Sequence, residues 1–525
     1  MVRLWITSTA TLALLLSGCG DVKTSTASAA TANSEARLNT TGIIKTRADS
    51  PNYLLFIGDD MGIETLSCYK VGQSTAHSPH LNNLCNEGLR FDNFYVQPLC
   101  SPTRATLLTG QYGFANGVGV PAGSPTNKLF ETAQPSAVST PQGMGGMGGG
   151  MTGGMGGMAG GMGGMGTTTE AITTESTPDP ALAPDAYTFA HALKADSEKG
   201  YRLGAVGKWH LADDINGGLS HPLKVGFDNY SGPITSGGGV RDYNEWSKST
   251  DGALNVTQTD YITTGTANDA INWLADGPTD KPWFMWVAFN ASHAPFHVPP
   301  KELLSSDLKD LNPNTASNHD KFNAMIEAMD TEIGRVMASL DAETRANTYI
   351  MFLGDNGSPG GVAAAPFTRN RAKGSLYRGG VNVPFFVQGP GVTTGTTQAL
   401  SNGVDLFATV LDLSNIAPDS NAPDRPFHSV SLGPIFNGET DMEVRDFVYA
   451  DSFGTRRVGK VNLRTIRNLD YKLVIDLIAG TEELYHVKSD PNELKDLTRS
   501  AMSNEATANL AALQAELKTL LATKN

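Results

Sequence analysis

Short, near-continuous apolar runs recur along this chain, and several end in a glycine followed by a carboxylate, a lysine or a histidine. NYLLFIGDDMG is the first. Tyr53 to Ile57 offers no charged position, which predicts a strand buried on both faces whose C-terminal end presents Asp59 and Asp60 in a loop. RLGAVGKWH, PWFMWVAFN, TYIMFLGDNG and VPFFVQGPG repeat the pattern. Between them, ANDAINWLADG and KFNAMIEAMDTEIGRVMASL read as helices, and PHLNNLCNEGLRFDNFYV predicts a helix, a stop at Gly88 and another strand. In PLCSPTRATLLTG, Pro102 suits a first helical turn and Gly110 a C-terminal stop, so Cys100 falls at the positive end of a helix. Buried strands alternating with helices predict an α/β/α sandwich around a large, mostly parallel central sheet.

Two stretches break the alternation. From about Pro121 to Pro184 the chain is Gly, Met, Thr, Ser and Pro, with GMGGMGGGMTGGMGGMAGGMGGMG at its centre. Methionine thioethers can take Cu(I). The tract has no His or Cys, however, and so much glycine that ordering it is entropically costly, which predicts a mobile surface insertion. Near Arg445 the pattern changes to antiparallel strands, FVYADSF, KVNLRTIRN and YKLVIDL. These lead through EELYHVKSDPNELKDL to a closing amphipathic helix with Leu510, Leu513, Leu517, Leu520 and Leu521 on one face. The organisation is a catalytic domain over 51–444, carrying the insertion at about 121–184, and a small C-terminal subdomain of antiparallel sheet and helix over 445–525.

The formal net charge of −14 excludes nucleic acid as a partner, because a phosphate backbone needs a basic face. An anionic substrate then requires cations gathered at the site itself. The opening MVRLWITSTATLALLLSGCG has a positive start, an apolar run and small residues before Cys19, a secretory signal too short for a stable membrane span. Its end resembles a bacterial lipoprotein cleavage box. Residues 1–19 then form the signal and 20–50 a polar tether; the protein is exported to the periplasm or cell surface of a bacterium, touching membrane only through lipid on Cys19. Of the other cysteines, Cys68 and Cys85 stand either as a pair or as two buried thiols.

Candidate chemistry collects at the predicted strand ends. Asp59, Asp60, Asp355 and Asn356 offer oxygen donors suited to a hard divalent cation, Ca²⁺ or Mg²⁺, rather than zinc. GKWH contributes Lys208 and His210, SHAPFHVP contributes His293 and His297, and RAKGSLYRGG contributes Lys373 ahead of the VPFFV strand. All fall on the rim where a doubly wound sheet gathers its ligands.

The element CSPTR…TG resembles the sulfatase signature Cys-x-Pro-x-Arg, and IGDDMG, PLCSPTRATLLTGQY, VGKWHL, HAPFHVP, LGDNG, KGSLYRGGVNVPF and ELYHVKSDPNELKDL follow that family's order over most of 51–500. The departures are the Met/Gly insertion and Ala212, where many members carry glycine. The resemblance implies an alkaline phosphatase-like fold and conversion of Cys100 to formylglycine (3-oxoalanine) by a formylglycine-generating enzyme. It implies that Asp59, Asp60, Asp355, Asn356 and modified Cys100 hold one cation, Ca²⁺ with Mg²⁺ as the alternative. It further implies that Arg104 supports the formylglycine, that Lys208 and Lys373 bind sulfate oxygens, that His293 protonates the leaving alcohol and that His210 takes a proton as sulfate leaves. The substrate is then a sulfated small molecule or sulfated glycan, cleaved through the formylglycine diol. Two other functions share these residues: a phosphonate monoester or phosphodiester hydrolase, and a lipoprotein that binds sulfated glycans without cleaving them.

Overall fold

β1 (Asn52–Gly58) is buried at every position because it lies inside a ten-stranded sheet. From edge to edge the sheet runs Gly395–Thr397 (β11), Leu89–Phe91 (β2), Phe385–Gln388 (β10), Thr348–Gly354 (β9), β1, Trp283–Ala288 (β8), Arg202–Gly207 (β4), Asn229–Gly232 (β5), Trp246–Thr250 (β6) and Ala253–Gln258 (β7). The computed structural model describes residues 50–122, 181–213, 216–234, 242–278, 280–419, 422, 427–438, 444–456 and 459–523. The signal, the tether and the Met/Gly core of the insertion lie outside these residues.

The five central strands, β9-β1-β8-β4-β5, are parallel. β10 runs antiparallel to β9, and β6 and β7 extend the other side as an antiparallel ribbon that the apolar pattern does not announce. WSKST and ALNVTQ carry too few apolar residues to read as core strands. Leu54 and Phe56 of β1 share one apolar cluster with the helices Pro79–Glu87, Ile262–Ala275 and Asn318–Ala338. Tyr53, the residue before Leu54, turns the other way, its hydroxyl 2.8 Å from Ser414 Oγ at the end of helix Asp405–Leu413. The alternation of a strand thus sorts one apolar run between two helical layers.

A four-stranded antiparallel sheet follows, Val448–Arg456 (β13), Gly459–Arg467 (β14), Tyr471–Asp476 (β15) and Thr481–His486 (β16). Helix Asn504–Ala522 closes it. Ser503 caps its N-terminus by accepting from the Ala506 N–H at 3.1 Å, and Leu513, Leu517 and Leu520 bury against Ile466, Leu473 and Leu484. A small pair, Phe94–Tyr95 (β3) with Ser401–Asn402 (β12), sits beside β13. Among the described residues no helix is long and apolar enough to cross a membrane.

Register brings the strand ends level. Gly58 lies opposite Gly354, and Ala288 lies opposite both Ile57 and Gly207, so four adjacent strands stop within a residue of one another. Glycine is required here. Gly207 has φ +84°, and a Cβ on Gly354 would stand 2.1 Å from the Met61 carbonyl oxygen.

Cys68 and Cys85 form a disulfide that ties the turn Ser67–Tyr69 to helix Pro79–Glu87 across a separation of 17 residues. Loop-closure entropy for a ring of this size contributes about 3 kcal/mol. The double variant Cys68→Ala/Cys85→Ala is expected to lose stability of that order in urea unfolding, and an unchanged midpoint would refute the estimate.

Candidate active site

Each of the level strand ends delivers chemistry to one point. β1 delivers Asp59 and Asp60, β9 delivers Asp355 and Asn356, β4 delivers Lys208 and His210, and the segment after β8 delivers His293. β10 is antiparallel, so its entrance faces the same rim, and the loop leading into it brings Lys373. Cys100 is the first residue of helix Cys100–Thr109, with Leu99 as an N-cap that offers no side-chain bond. Gly110, at φ +65°, ends that helix as the sequence predicts.

The donor atoms of Asp59, Asp60, Cys100 and Asp355 all lie within 4.8 Å of one another, and all four residues are buried. Such carboxylates need compensation, and each has its own cation. Lys208 Nζ bonds Asp59 Oδ2, Lys373 Nζ bonds Asp60 Oδ1, and Arg104 donates to Asp355 Oδ2 through Nε at 3.0 Å and Nη2 at 2.9 Å. Arg104 also donates to the Lys208 carbonyl, joining the ends of β9 and β4. Burial raises the Asp59 carboxyl, but Lys208, followed by His293, holds it below the usual carboxylate range; Lys373 does the same for Asp60 against burial.

The Cys100 thiol donates to Asp59 Oδ1 at 3.2 Å and stands 3.6 Å from Lys373 Nζ. Burial, then Asp355 and Asp59, push its pKa well above the ordinary thiol value. As a thiol it is protonated and a poor nucleophile. His210 Nε2 stands 3.1 Å from the Ala122 carbonyl oxygen, which only accepts, so Nε2 carries the proton of the neutral ring and Nδ1 the lone pair. Burial, then Lys208 and Arg104, keep this imidazole neutral. His293 has the opposite tautomer: Nδ1 donates to the Ala294 carbonyl at 2.7 Å and Nε2 faces Asp60 Oδ2 at 3.9 Å. His297 instead bonds the Tyr261 hydroxyl at 3.0 Å and packs on the Tyr243 ring.

The cluster fits a hard cation. Its carboxylates are oxygen donors, Asn356 Oδ1 is buried with no hydrogen-bond partner, and Asn356 Nδ2 already holds Asp60 Oδ1 at 2.8 Å. Cys100 Sγ is the one soft donor, a mismatch that an oxygen-bearing side chain at position 100 removes.

Supporting residues were not readable from the sequence. Ser101 Oγ donates to the His210 carbonyl at 2.6 Å and accepts from the Ala122 N–H at 2.9 Å, while the Tyr243 hydroxyl lies within 2.7 Å of the Asn290 and His293 carbonyls. Asp60 and His210 both occupy left-handed backbone, at φ 65° and 61°, a strain that tight packing maintains. Both ends of the insertion read over about 121–184 meet this rim: the Ala122 carbonyl lies against His210, and the Leu182 N–H donates to the Leu211 carbonyl at 3.0 Å.

Residues 51–140 and 163–416 match the family described as Sulfatase, and residues 371–522 match that described as N-sulphoglucosamine sulphohydrolase, C-terminal. The N-acetylgalactosamine-6-sulfatase of Homo sapiens is 28% identical over 410 residues, covering 73% of this chain and 65% of the relative. Arylsulfatase G of Mus musculus is 26% identical over 478 residues, covering 82% and 76%. The chain thus spans less than two thirds of the first of these relatives. Ps i-CgsB, solved in complex with k-i-k-neocarrahexaose, matches at a TM-score of 0.66 and 22% identity over 91% of this chain and 94% of that one. A protein solved with its substrate D-glucosamine-2-N,6-O-disulfate matches at 0.62 and 20% over 90% and 98%. These two likenesses establish the fold, an alkaline phosphatase-like sandwich.

Three buried carboxylates converging on one point would bind a divalent cation only in the folded state. At a hundredfold excess over Kd this adds about 2.7 kcal/mol. Chelation is expected to lower the melting temperature by a few degrees and added Ca²⁺ or Mg²⁺ to restore it. Asn356→Ala, which breaks no ion pair, should weaken that response; full metal content and an unchanged response in this variant would show that the two strand ends do not share an ion.

Proposed function

The chain belongs to the sulfatase family, and from that premise we propose that it hydrolyses sulfate monoesters, releasing an alcohol and inorganic sulfate. The observation that carries this reading is the convergence of Asp59, Asp60, Asp355 and Cys100 within 4.8 Å, ringed by Arg104, Lys208 and Lys373. An overall acidic protein concentrates three side-chain cations at this point, which is where an anionic ester is held. A formylglycine made from Cys100 supplies, as its hydrate, an oxygen nucleophile, and a divalent cation on Asp59, Asp60, Asp355 and Asn356, Ca²⁺ or Mg²⁺, supplies positive charge beside it.

The chain's own residues do the rest. Arg104 fixes Asp355 through two N–H groups and keeps the β9 and β4 ends together. Lys208 and Lys373 bind sulfate oxygens through ammonium groups already held at the rim by Asp59 and Asp60. His293, anchored through Nδ1, gives a proton from Nε2 to the leaving oxygen when it enters the reaction as the imidazolium. His210, whose Nε2–H is committed to Ala122, receives a proton at Nδ1. The acidic residues thus work as ligands and counter-charges, and the imidazoles as acid and base.

The named substrates of the relatives and neighbours, a sulfated galactosamine and a sulfated glucosamine among them, favour a sulfated sugar as the natural ester. Export behind residues 1–19, lipid on Cys19, a tether over 20–50 and maturation by a formylglycine-generating enzyme complete the proposal. The division into a catalytic domain over 51–444 and a C-terminal subdomain over 445–525 belongs to it as well.

The test is sulfate release from 4-nitrophenyl sulfate and a panel of sulfated sugars, by protein from a host that makes formylglycine. Peptide mass spectrometry should show an aldehyde at position 100, and Cys100→Ala should cut turnover by several orders of magnitude. Active protein carrying only thiol at position 100 would overturn the mechanism. Preferential cleavage of phosphonate monoesters would move the protein to the neighbouring reaction class.

A further inference from the structure

The far end of β13, still paired with β14, reaches the rim just described. Its Phe453 N–H donates to the Gly119 carbonyl at 3.2 Å and Ser452 Oγ donates to the same oxygen at 3.0 Å, three residues from the Ala122 that holds His210. On its other side Arg456 Nη1 donates to the Gly374 carbonyl at 2.9 Å, the peptide directly after Lys373. Gly374 in turn donates to the Pro98 carbonyl at 2.9 Å, two residues before Cys100. The strand end therefore bridges the segments that carry the two sides of the site.

Arg456 is the charged group of this bridge, and it is out of balance. The buried or half-buried cations of the cluster each have a carboxylate, but among the described residues Arg456 has none within ion-pair distance. Its Nη2 donates to Ser452 Oγ, while Nε is buried with no hydrogen-bond partner. Burial alone pushes the guanidinium down to about 10. The side chain is half-buried, and the residue forms the last rung of the β13–β14 hairpin opposite Gly459. A guanidinium kept partly out of water without a counter-charge is poised for an anion that arrives with the ligand.

We propose that Arg456 is a substrate-binding residue that pairs with a second anionic group, a carboxylate or another sulfate, borne on the sugar with the scissile ester or on its neighbour. Resting on the sulfate-ester reading above, this narrows the substrate class to sulfated sugars carrying at least two anionic groups. The Gly374 contact places the second anion beside Lys373, so one substrate spans the sulfate-binding lysine and the C-terminal sheet. Arg suits this role better than Lys, since its planar fork can hold the Gly374 carbonyl and still offer N–H groups to an oxyanion.

The experiment compares kcat/KM for glucosamine 6-O-sulfate with that for D-glucosamine-2-N,6-O-disulfate and for a singly sulfated disaccharide containing a uronate. The last two arms separate a second sulfate from a carboxylate. The parent protein should prefer at least one dianionic probe, and Arg456→Gln should lower that preference about tenfold or more, the worth of a charge-assisted hydrogen bond, mainly through KM. Arg456→Lys should recover part of it. An equal loss on all probes would make Arg456 merely structural, and an unchanged preference would remove it from the site; either overturns the proposal. Should the parent release no sulfate from any ester, including 4-nitrophenyl sulfate, the hydrolase reading fails by itself. The same ratios measured as calorimetric affinities then still decide the role of Arg456.

Discussion

Neutralising three carboxylates that the fold forces together is the constraint on which the rest of the structure turns. Level strand ends bring Asp59, Asp60 and Asp355 to one buried place, and burying uncompensated charge is prohibitive. Lys208, Lys373 and Arg104 answer one carboxylate each, and each comes from a different element: the end of β4, the loop before β10 and the helix that starts at Cys100. Charge balance therefore fixes the relative placement of those elements as firmly as the apolar layers do. It also prepares the site for its work, because the same ammonium groups are those a sulfate would meet.

Much of this was legible in the sequence for a definite reason. An apolar run ending in Gly-Asp states both a buried strand and the polar group at its end, so β1 and β9 and their carboxylates could be read together from NYLLFIGDDMG and TYIMFLGDNG. Cys100 at the head of a helix followed from Pro102 and Gly110. Illegible parts lacked such a signature. β6 and β7 are polar ribbon strands made by pairing, not by pattern. Ser101 and Tyr243 act through hydroxyls on backbone carbonyls, which any surface serine or tyrosine could do. Arg456 sits far along the chain, and only the course of β13 brings it to Gly374. The pairing of Cys68 with Cys85 depended on how closely two elements approach, which spacing alone left open.

The C-terminal sheet contributes to the site from behind as well. Glu493 accepts from the Arg378 N–H at 2.7 Å through Oε2 and from buried Lys472 at 2.7 Å through Oε1, while its carbonyl takes the Arg371 guanidinium. Arg371 also lies 4.1 Å over the Tyr377 ring. The loop that carries Lys373 is thus gripped at both ends by Glu493, from beyond β16. A second buried pair, Arg445 with Asp405, fastens the start of the sheet to helix Asp405–Leu413.

Ala122 and Leu182, the two feet of the low-complexity excursion, stand on consecutive residues, His210 and Leu211. A chain that departs and returns at neighbouring points can change length with only a slow entropic cost, about 0.6 kcal/mol per doubling. Because both feet are fastened through their backbone groups, which no side-chain substitution alters directly, a change of length or composition within the tract leaves the same setting for the imidazole beside it.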